Sequence, residues 1–340
     1  MEQVTIKDIA RILNISASTV SRALKGSPEI SQATIELVKE TAKRLNYQPN
    51  KAALSLLHIK TRTIGVVVPN LGYSFFSLAL QGIEEEASQR GYTVIASQSL
   101  ESEEKEIRNI IDMKRIGVDG ILISLAQYSS QLNHLMDVQS QMPVVLFDRV
   151  SDTIRSSKIY VNNLTGAFSA VEHLIKIGCK RIAYMGGPKG LLISNRRRDG
   201  YTMALFRHNR KIDESLIVHS EFDHNYAVKT ALKLLKRKDR PDGIFAVSDR
   251  VAIGAIAAAK KLQLRIPQDV AIIGFNDEPI ASLISPTLTS VKQPAFDMGK
   301  MAAQLLIDEI EYVGKYQHVS KSYPTKLMIR ESTKKNNQKD

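Results

Sequence analysis

A chain of 340 residues, 43% hydrophobic and 24% charged, has the balance of a soluble globular protein and is too long for one core of the usual ~100–200 residues. Its longest apolar stretches, such as Ile64–Val68 and Ile121–Leu125, fall far short of the ~20 residues that span a bilayer, and Cys179, the only cysteine, rules out an internal disulfide. A net charge of +12 admits an anionic partner without locating it: residues 1–62 carry ten Lys/Arg against five Asp/Glu, yet the remainder is basic too. The first residues, Met1 to Asp8, lack a basic segment followed by an apolar one, so no secretory leader is expected, and a reducing, cytoplasmic location is.

The first ~60 residues predict short helices and no strand. Thr5, with Asp8 three residues on, caps a first helix whose apolar stripe is Ile9, Ala10 and Leu13. Asn14 suits a left-handed turn, and Ser16 caps a second helix from Ala17 to about Leu24. Gly26-Ser27-Pro28 breaks it. Ser31 caps a third, with Ile35, Val38, Ala42 and Leu45 at helical spacing, and Asn50 can start a short apolar helix through Leu57. After Arg62 the pattern changes. Short β-branched runs (Ile64–Val68, Gly120–Ser124, Val144–Phe147, Ile159–Val161, Ile182–Met185, Ile244–Val247, Val270–Ile273) alternate with helical stretches. That alternation predicts α/β architecture, parallel sheets with helices on both faces, and there are too many units for one open sheet. A last helix, Phe296–Ile310, an apolar stretch near Lys326–Ile329 and a polar tail, residues 331–340, complete the chain.

Two short helices joined by a tight turn form a helix-turn-helix pattern. Val20, Ala23 and Leu24 make one face of the second helix apolar, which turns Ala17, Ser18, Ser21 and Arg22 outward. Small residues at the helix start allow close approach to base edges. Arg22 can fork onto a guanine, a contact worth ~1–3 kcal/mol of discrimination. Ser16, Thr19 and Ser21 offer short hydroxyls to phosphates. Periodicity alone leaves three packed helices with a solvated Arg as an equal alternative.

The whole string is more specific. Val4-Thr5-Ile6-Lys7-Asp8-Ile9-Ala10, then Ser16-x-x-Thr19-Val20-Ser21-Arg22, then Leu45-Asn46-Tyr47-x-Pro49-Asn50 closely resembles the headpiece of the lactose/purine repressor (LacI/GalR) family, and the resemblance runs to about Ile329. It implies a headpiece (1–48), a hinge helix (49–61), a two-lobed, doubly wound module like periplasmic sugar-binding proteins that binds an effector and dimerises (62–330), and a tail (331–340). It further implies a homodimeric, sequence-specific transcriptional regulator, a repressor on a roughly palindromic operator. By position it places Thr5, Ser16, Ala17, Ser18, Thr19, Ser21, Arg22, Asn50 and Ala53 at the DNA. Leu56 matches the leucine wedged into the minor groove, where an apolar side chain can unstack a base step. Leu54 departs from the Arg often found there.

The resemblance also implies a ligand cleft between the lobes, outside the carboxyl ends of the strands. Phe76, Asp148, Arg197, Phe222, Asp249 and Asn276 match effector-contacting positions, with Phe75 and Ser248 beside them. Aromatic faces with carboxylates, an amide and an Arg suit a polyhydroxylated, carbohydrate-like effector. Asn276 stands where Asp is commoner, and Ser248 where some sugar-responsive members have Asn, which leaves the effector's identity open. Asp249 could equally cap the helix from Arg250. The seven histidines show no metal-ligand spacing, Gly186-Gly187-Pro188-Lys189-Gly190 fits neither a P-loop nor a dinucleotide loop, and no catalytic pair stands out, so neither cofactor nor metal nor enzymatic activity is expected. A transport-system binding protein and an enzyme with a fused regulator are the rival classes. The headpiece argues against the first and the missing catalytic constellation against the second.

Overall fold

The computed structural model describes residues 4–24, 26–45, 47, 60–127, 132–188, 191–219, 222–312, 314 and 316–334. The chain divides into two compact units, residues 1–61 and 62–340. The first unit contains α1 (Ile6–Leu13), α2 (Ala17–Leu24) and α3 (Gln32–Arg44). Their apolar faces close on one small core of Ile9, Ala10, Val20, Ala23, Ile35, Val38 and Ala42. The turn between α1 and α2 passes through Asn14 in the left-handed region (φ 53°), which an Asn tolerates better than a branched residue. Ser31 starts α3 by accepting a bond from the Thr34 amide. The expected hinge helix falls almost wholly on residues 48–59, outside the described residues.

The second unit holds two six-stranded sheets. The first comprises β1 (Thr63–Val68), β2 (Thr93–Gln98), β3 (Gly120–Ile123), β4 (Val144–Phe147), β5 (Lys158–Val161) and β11 (Ser320–Tyr323), in the order β11-β5-β4-β3-β1-β2. The second comprises β6 (Ile182–Gly186), β7 (Ile217–His219), β8 (Gly243–Ala246), β9 (Ala271–Asn276), β10 (Thr289–Lys292) and β12 (Lys326–Met328), in the order β12-β10-β9-β8-β6-β7. All the pairings are parallel except β10 with β12. The central strands β1, β3 and β4 are buried throughout, as sheets covered on both faces require. Helices α4 (Ser74–Gln89), α5 (Glu103–Ile116), α6 (Asn133–Gln139), α7 (Asn163–Lys176), α8 (Leu192–Arg207), α9 (His224–Leu235), α10 (Asp249–Lys261) and α11 (Ala295–Glu311) follow in chain order. None of the described helices is long and apolar enough to cross a membrane.

The chain changes lobe three times: between β5 and α7, between β10 and α11, and between β11 and β12. Helix α11 therefore belongs to the first lobe, where Met298, Ala302 and Leu306 join the core with Ala79 and Ile83 of α4. Two glycines set that contact. A Cβ on Gly299 would collide with the Ala79 carbonyl, and one on Gly82 with the Phe296 carbonyl.

Three expectations change. The strand β2 has an exposed–intermediate alternation that gave no clear apolar run. The strand β10 was unread because Thr289 and Ser290 are polar, though both are fully buried and hydrogen-bonded. The polar tail does not begin at 331: Ser332 and Thr333 are buried, and the Ser332 hydroxyl donates to the Ile272 carbonyl while accepting from the Thr289 amide. Short hydroxyl side chains bury there because each polar atom finds a backbone partner.

Gly299→Ala should lower unfolding stability by ~1–3 kcal/mol, the cost of inserting a methyl into a closed helix contact. Urea unfolding followed by far-UV circular dichroism checks this; an unchanged midpoint would show that the two helices can separate freely.

Candidate functional site

The headpiece presents a short polar helix. Ser16 caps α2 by accepting from the Thr19 amide (3.0 Å), and its hydroxyl also bonds those of Ser18 (2.7 Å) and Thr19 (2.8 Å). Three hydroxyls therefore cluster at a helix start, where the backbone dipole favours an anion. Ser18 and Arg22 are exposed, Ser21 and Thr19 are half-buried, and Ala17 leans onto the core rather than standing clear of it. Arg22 makes an exposed 3.1 Å ion pair with Glu29. Such a pair contributes little in water and can yield to a guanine. Thr5 holds Asp8 in two bonds, from its amide (2.9 Å) and its hydroxyl (2.7 Å), so its first task is to start α1. Asn50, Ala53 and Leu56 lie outside the described residues.

In the second unit the strands' carboxyl ends meet across a cleft. The first lobe supplies Phe75 and Phe76 from the opening turn of α4, with Asp148 and Arg149 just past β4. The second supplies Arg197, Phe222, Ser248 and Asn276. Asp148 (φ 59°) and Asn276 (φ 116°) both sit in left-handed backbone, a strain that persists because neighbours hold it. The Asp148 amide donates to Ile159 O, and the Gln293 side chain donates to Asn276 Oδ1 at 2.7 Å.

Arg197 is 2% exposed. Its Nε donates to Asn163 Oδ1 (2.8 Å), its Nη1 to Val247 O (2.6 Å), and its guanidinium lies 3.6 Å from the centre of the Phe275 ring. Burial pulls its pKa down to about 10, opposed by Asp148, so it stays charged at neutral pH. Burial likewise lifts Asp148 to about 6, held back by Arg149 and Arg197. Arg149 is clamped by Glu101 (2.6 and 2.9 Å), with its guanidinium over both Phe76 (6.0 Å) and Phe222 (5.6 Å), rings from opposite lobes. Arg250 covers Tyr73 in the same way at 4.8 Å.

Of the effector residues expected from the sequence, the structure brings Phe75, Phe76, Asp148, Arg197, Phe222, Ser248 and Asn276 to the cleft and leaves Asp249 out. Asp249 is fully buried behind it, accepting from Ser290 Oγ (2.5 Å) and the Glu278 amide (2.7 Å). It does not cap α10 either. Ser248 does that, accepting from the Val251 amide while lining the cleft. Sequence reasoning missed Tyr73, Ile193, Arg250, Glu278 and Gln293. Ile193 and Arg250 each lie within four residues of a named site residue on the same helix, a usable signal; Gln293 comes from a lobe crossing and carries none. Among the described residues no cluster could hold a metal ion.

Desolvation raises Asp249 to about 8, against its two donors. A carboxyl whose folded pKa exceeds its unfolded value stabilises fully below the unfolded ~3.9 and loses that contribution as pH rises through the folded value. Between pH 7 and 8, above the range of Asp148, stability should therefore fall with pH by at most ~1.4 kcal/mol per unit on this account. Asp249→Asn should flatten that slope. Thermal melts of both proteins across the window check it; an identical slope would assign the proton elsewhere.

Residues 5–50 match the model of bacterial regulatory proteins of the lacI family, and residues 171–333 match that of a periplasmic binding protein-like domain. The chain is 35% identical to the ribose operon repressor of Halalkalibacterium halodurans, covering 97% of each chain. It is 33% identical to catabolite control protein A of Priestia megaterium, over 97% of this chain and 99% of that one. Among solved structures, the transcriptional regulator CelR in complex with cellobiose superposes with a TM-score of 0.75 at 29% identity, covering 97% of this chain and 100% of the other. With a three-helix headpiece, a two-lobed cleft module and end-to-end kinship with a ribose operon repressor and a catabolite control protein, the chain belongs to the lacI family of bacterial transcriptional regulators.

Proposed function

We propose that the protein is a cytoplasmic, homodimeric repressor that binds a roughly palindromic operator through α2 and is controlled by a small carbohydrate effector held between its lobes. The observation that carries the effector class is the cleft itself. Phe76 and Phe222 come from opposite lobes, and Asp148, Arg197 and Asn276 surround them. Aromatic faces cover the C–H surface of a sugar, the carboxylate and amide oxygen accept from its hydroxyls, and Arg donates. Named relatives support the same class, since one is a ribose operon repressor and one solved neighbour is a cellobiose complex.

The residues divide the work in the following way. Ser18, Ser21 and Arg22, with Ala17 allowing close approach, read base edges, while Thr5, Ser16 and Thr19 hold phosphates. Asn50, Ala53 and Leu56, outside the described residues, are assigned to contacts with the operator centre. In the cleft, Asp148, Arg197, Asn276 and Ser248 bind the effector's hydroxyls, and Phe75 supports Phe76, which it meets edge-on at 5.2 Å. Effector binding changes how the lobes close and so the spacing of two hinge segments in a dimer, a coupling of ~1–3 kcal/mol. Asp249 acts from behind, through Ser290 and the Asn276–Glu278 turn.

Arg22→Ala should lose ~1–3 kcal/mol of preference for operator over random DNA while keeping weak, salt-sensitive binding. Competition gel shifts measure it, and equal loss on both DNAs would remove Arg22 from base reading. A thermal-shift panel of sugars, nucleosides and purines tests the effector class. A carbohydrate at ~100-fold its Kd should stabilise by ~2.7 kcal/mol, and the shift should vanish in Arg197→Ala. A response to purines and none to sugars would overturn the carbohydrate assignment.

A further inference from the structure

Three guanidinium groups line the effector cleft, those of Arg149, Arg197 and Arg250, and the carboxylates of Asp148 and Glu278 line it with them. Glu101, which clamps Arg149 in two bonds, brings the carboxylates to three. The cleft is therefore balanced in formal charge before any ligand enters it. The two lining carboxylates differ. Arg149 and Arg197 both offset the charge of Asp148. Glu278 is only 8% exposed and has no cation within ion-pair distance among the described residues.

The cleft also leaves hydrogen-bonding groups of both kinds unmet. No described residue donates to the Asp148 carboxylate, which is itself buried. Glu278 receives only Asn276 Nδ2, at a long 3.5 Å. A carboxylate only accepts, so this contact turns the Asn276 amino group toward Glu278 and its Oδ1 toward Gln293, whose Nε2 donates to it at 2.7 Å. Gln293 is left with Oε1, which is buried and has no partner among the described residues. The Asp commoner at position 276 could not donate to Glu278, so the Asn there goes with the carboxylate two residues on. On the donor side, Arg149 Nε is buried and has no acceptor. A buried donor or acceptor without a partner is costly, so the ligand that fits is one that meets both kinds.

A hydroxyl group donates and accepts at once. A phosphate ester, doubly ionised above a second pKa of about 6, brings only acceptors and would face Asp148 and Glu278. An ammonium brings only donors and would face three guanidinium groups. We infer that the effector is an uncharged polyol, a sugar bearing neither phosphate nor amine, and that Glu278 both excludes phosphorylated sugars and sets the direction of the Asn276 and Gln293 amides. This rests on the carbohydrate reading of the cleft and narrows it.

The test uses the full chain at a pH of about 7.5, well above the Asp148 pKa of about 6, so that this carboxylate is ionised. Calorimetric titration compares ribose with ribose 5-phosphate, fructose with fructose 6-phosphate, glucose with glucose 6-phosphate, and glucose with glucosamine. A sugar that binds should be favoured over its phosphate by at least about tenfold in Kd. Glu278→Gln keeps the shape of the side chain and removes its charge. It should narrow that gap by about tenfold, a change in selectivity that loosened packing alone does not produce. Thermal unfolding of the variant without sugar checks that it is folded. A phosphate that binds as tightly as its parent sugar overturns the inference, and so does glucosamine binding about tenfold more tightly than glucose. An unchanged gap in Glu278→Gln overturns the assignment of the discrimination to Glu278. The carbohydrate reading fails in a different way: no member of the panel binds while a purine or a nucleoside does, and the inference falls with it.

Discussion

A guanidinium that is almost wholly removed from water must be met by oxygens, a ring or a counter-charge, and the centre of this molecule is arranged around meeting Arg197. Asn163, at the first lobe crossing, takes Nε; Val247 O, at the end of a strand, takes Nη1; Phe275 lies flat beneath; Asp148 supplies a facing charge from the other lobe. Each of these partners sits at a carboxyl strand end or at a crossing. Arg197 therefore joins the facing charge of Asp148 to the first crossing between the lobes, at Asn163. Losing one partner would leave a buried charge unmet, which costs far more than an exposed pair contributes.

The same carboxyl ends store strain. Asp148, Asn276 and Asp277 all have positive φ, and so do Leu100 and Glu101, the latter holding Arg149. Of the five, Asp148 and Asn276 line the cleft from opposite lobes, while Glu101 meets Arg149 and Asp277 meets Arg330, each within its own lobe.

Much of the architecture was legible in the residues. Uniform β-branched runs, such as Thr63–Val68, mark strands covered on both faces, and Ser16, Ser31 and Ser248 mark helix starts. Legibility failed where a polar residue is buried with a partner far away in the chain. Thr289 and Ser290 form a central strand because Ser332 and Asp249 satisfy them, partners 43 and 41 residues distant. Asp249 illustrates the other limit. Its place in the chain, between two residues that line the cleft, suggested ligand contact, yet helical geometry turns adjacent residues in different directions, and Gly274 leaves the space its carboxylate fills. Gln293 and Glu278 reach the cleft from segments whose local pattern is silent about it.

Neither lobe is a continuous stretch of chain. The first lobe's core includes Met298, Ala302 and Leu306, and its sheet is finished by β11 at residues 320–323, after the whole second lobe's parallel strands have been made. During synthesis, the segment from 62 to 161 leaves the ribosome with the surface meant for α11 uncovered, and it stays uncovered for well over a hundred residues of elongation. At ~5–20 residues per second that is many seconds of exposed Ile64, Leu122 and Ile83. The second lobe, by contrast, lacks only β12 and the segment around Ser332, so the later half of the chain is positioned to become ordered before the earlier half can close.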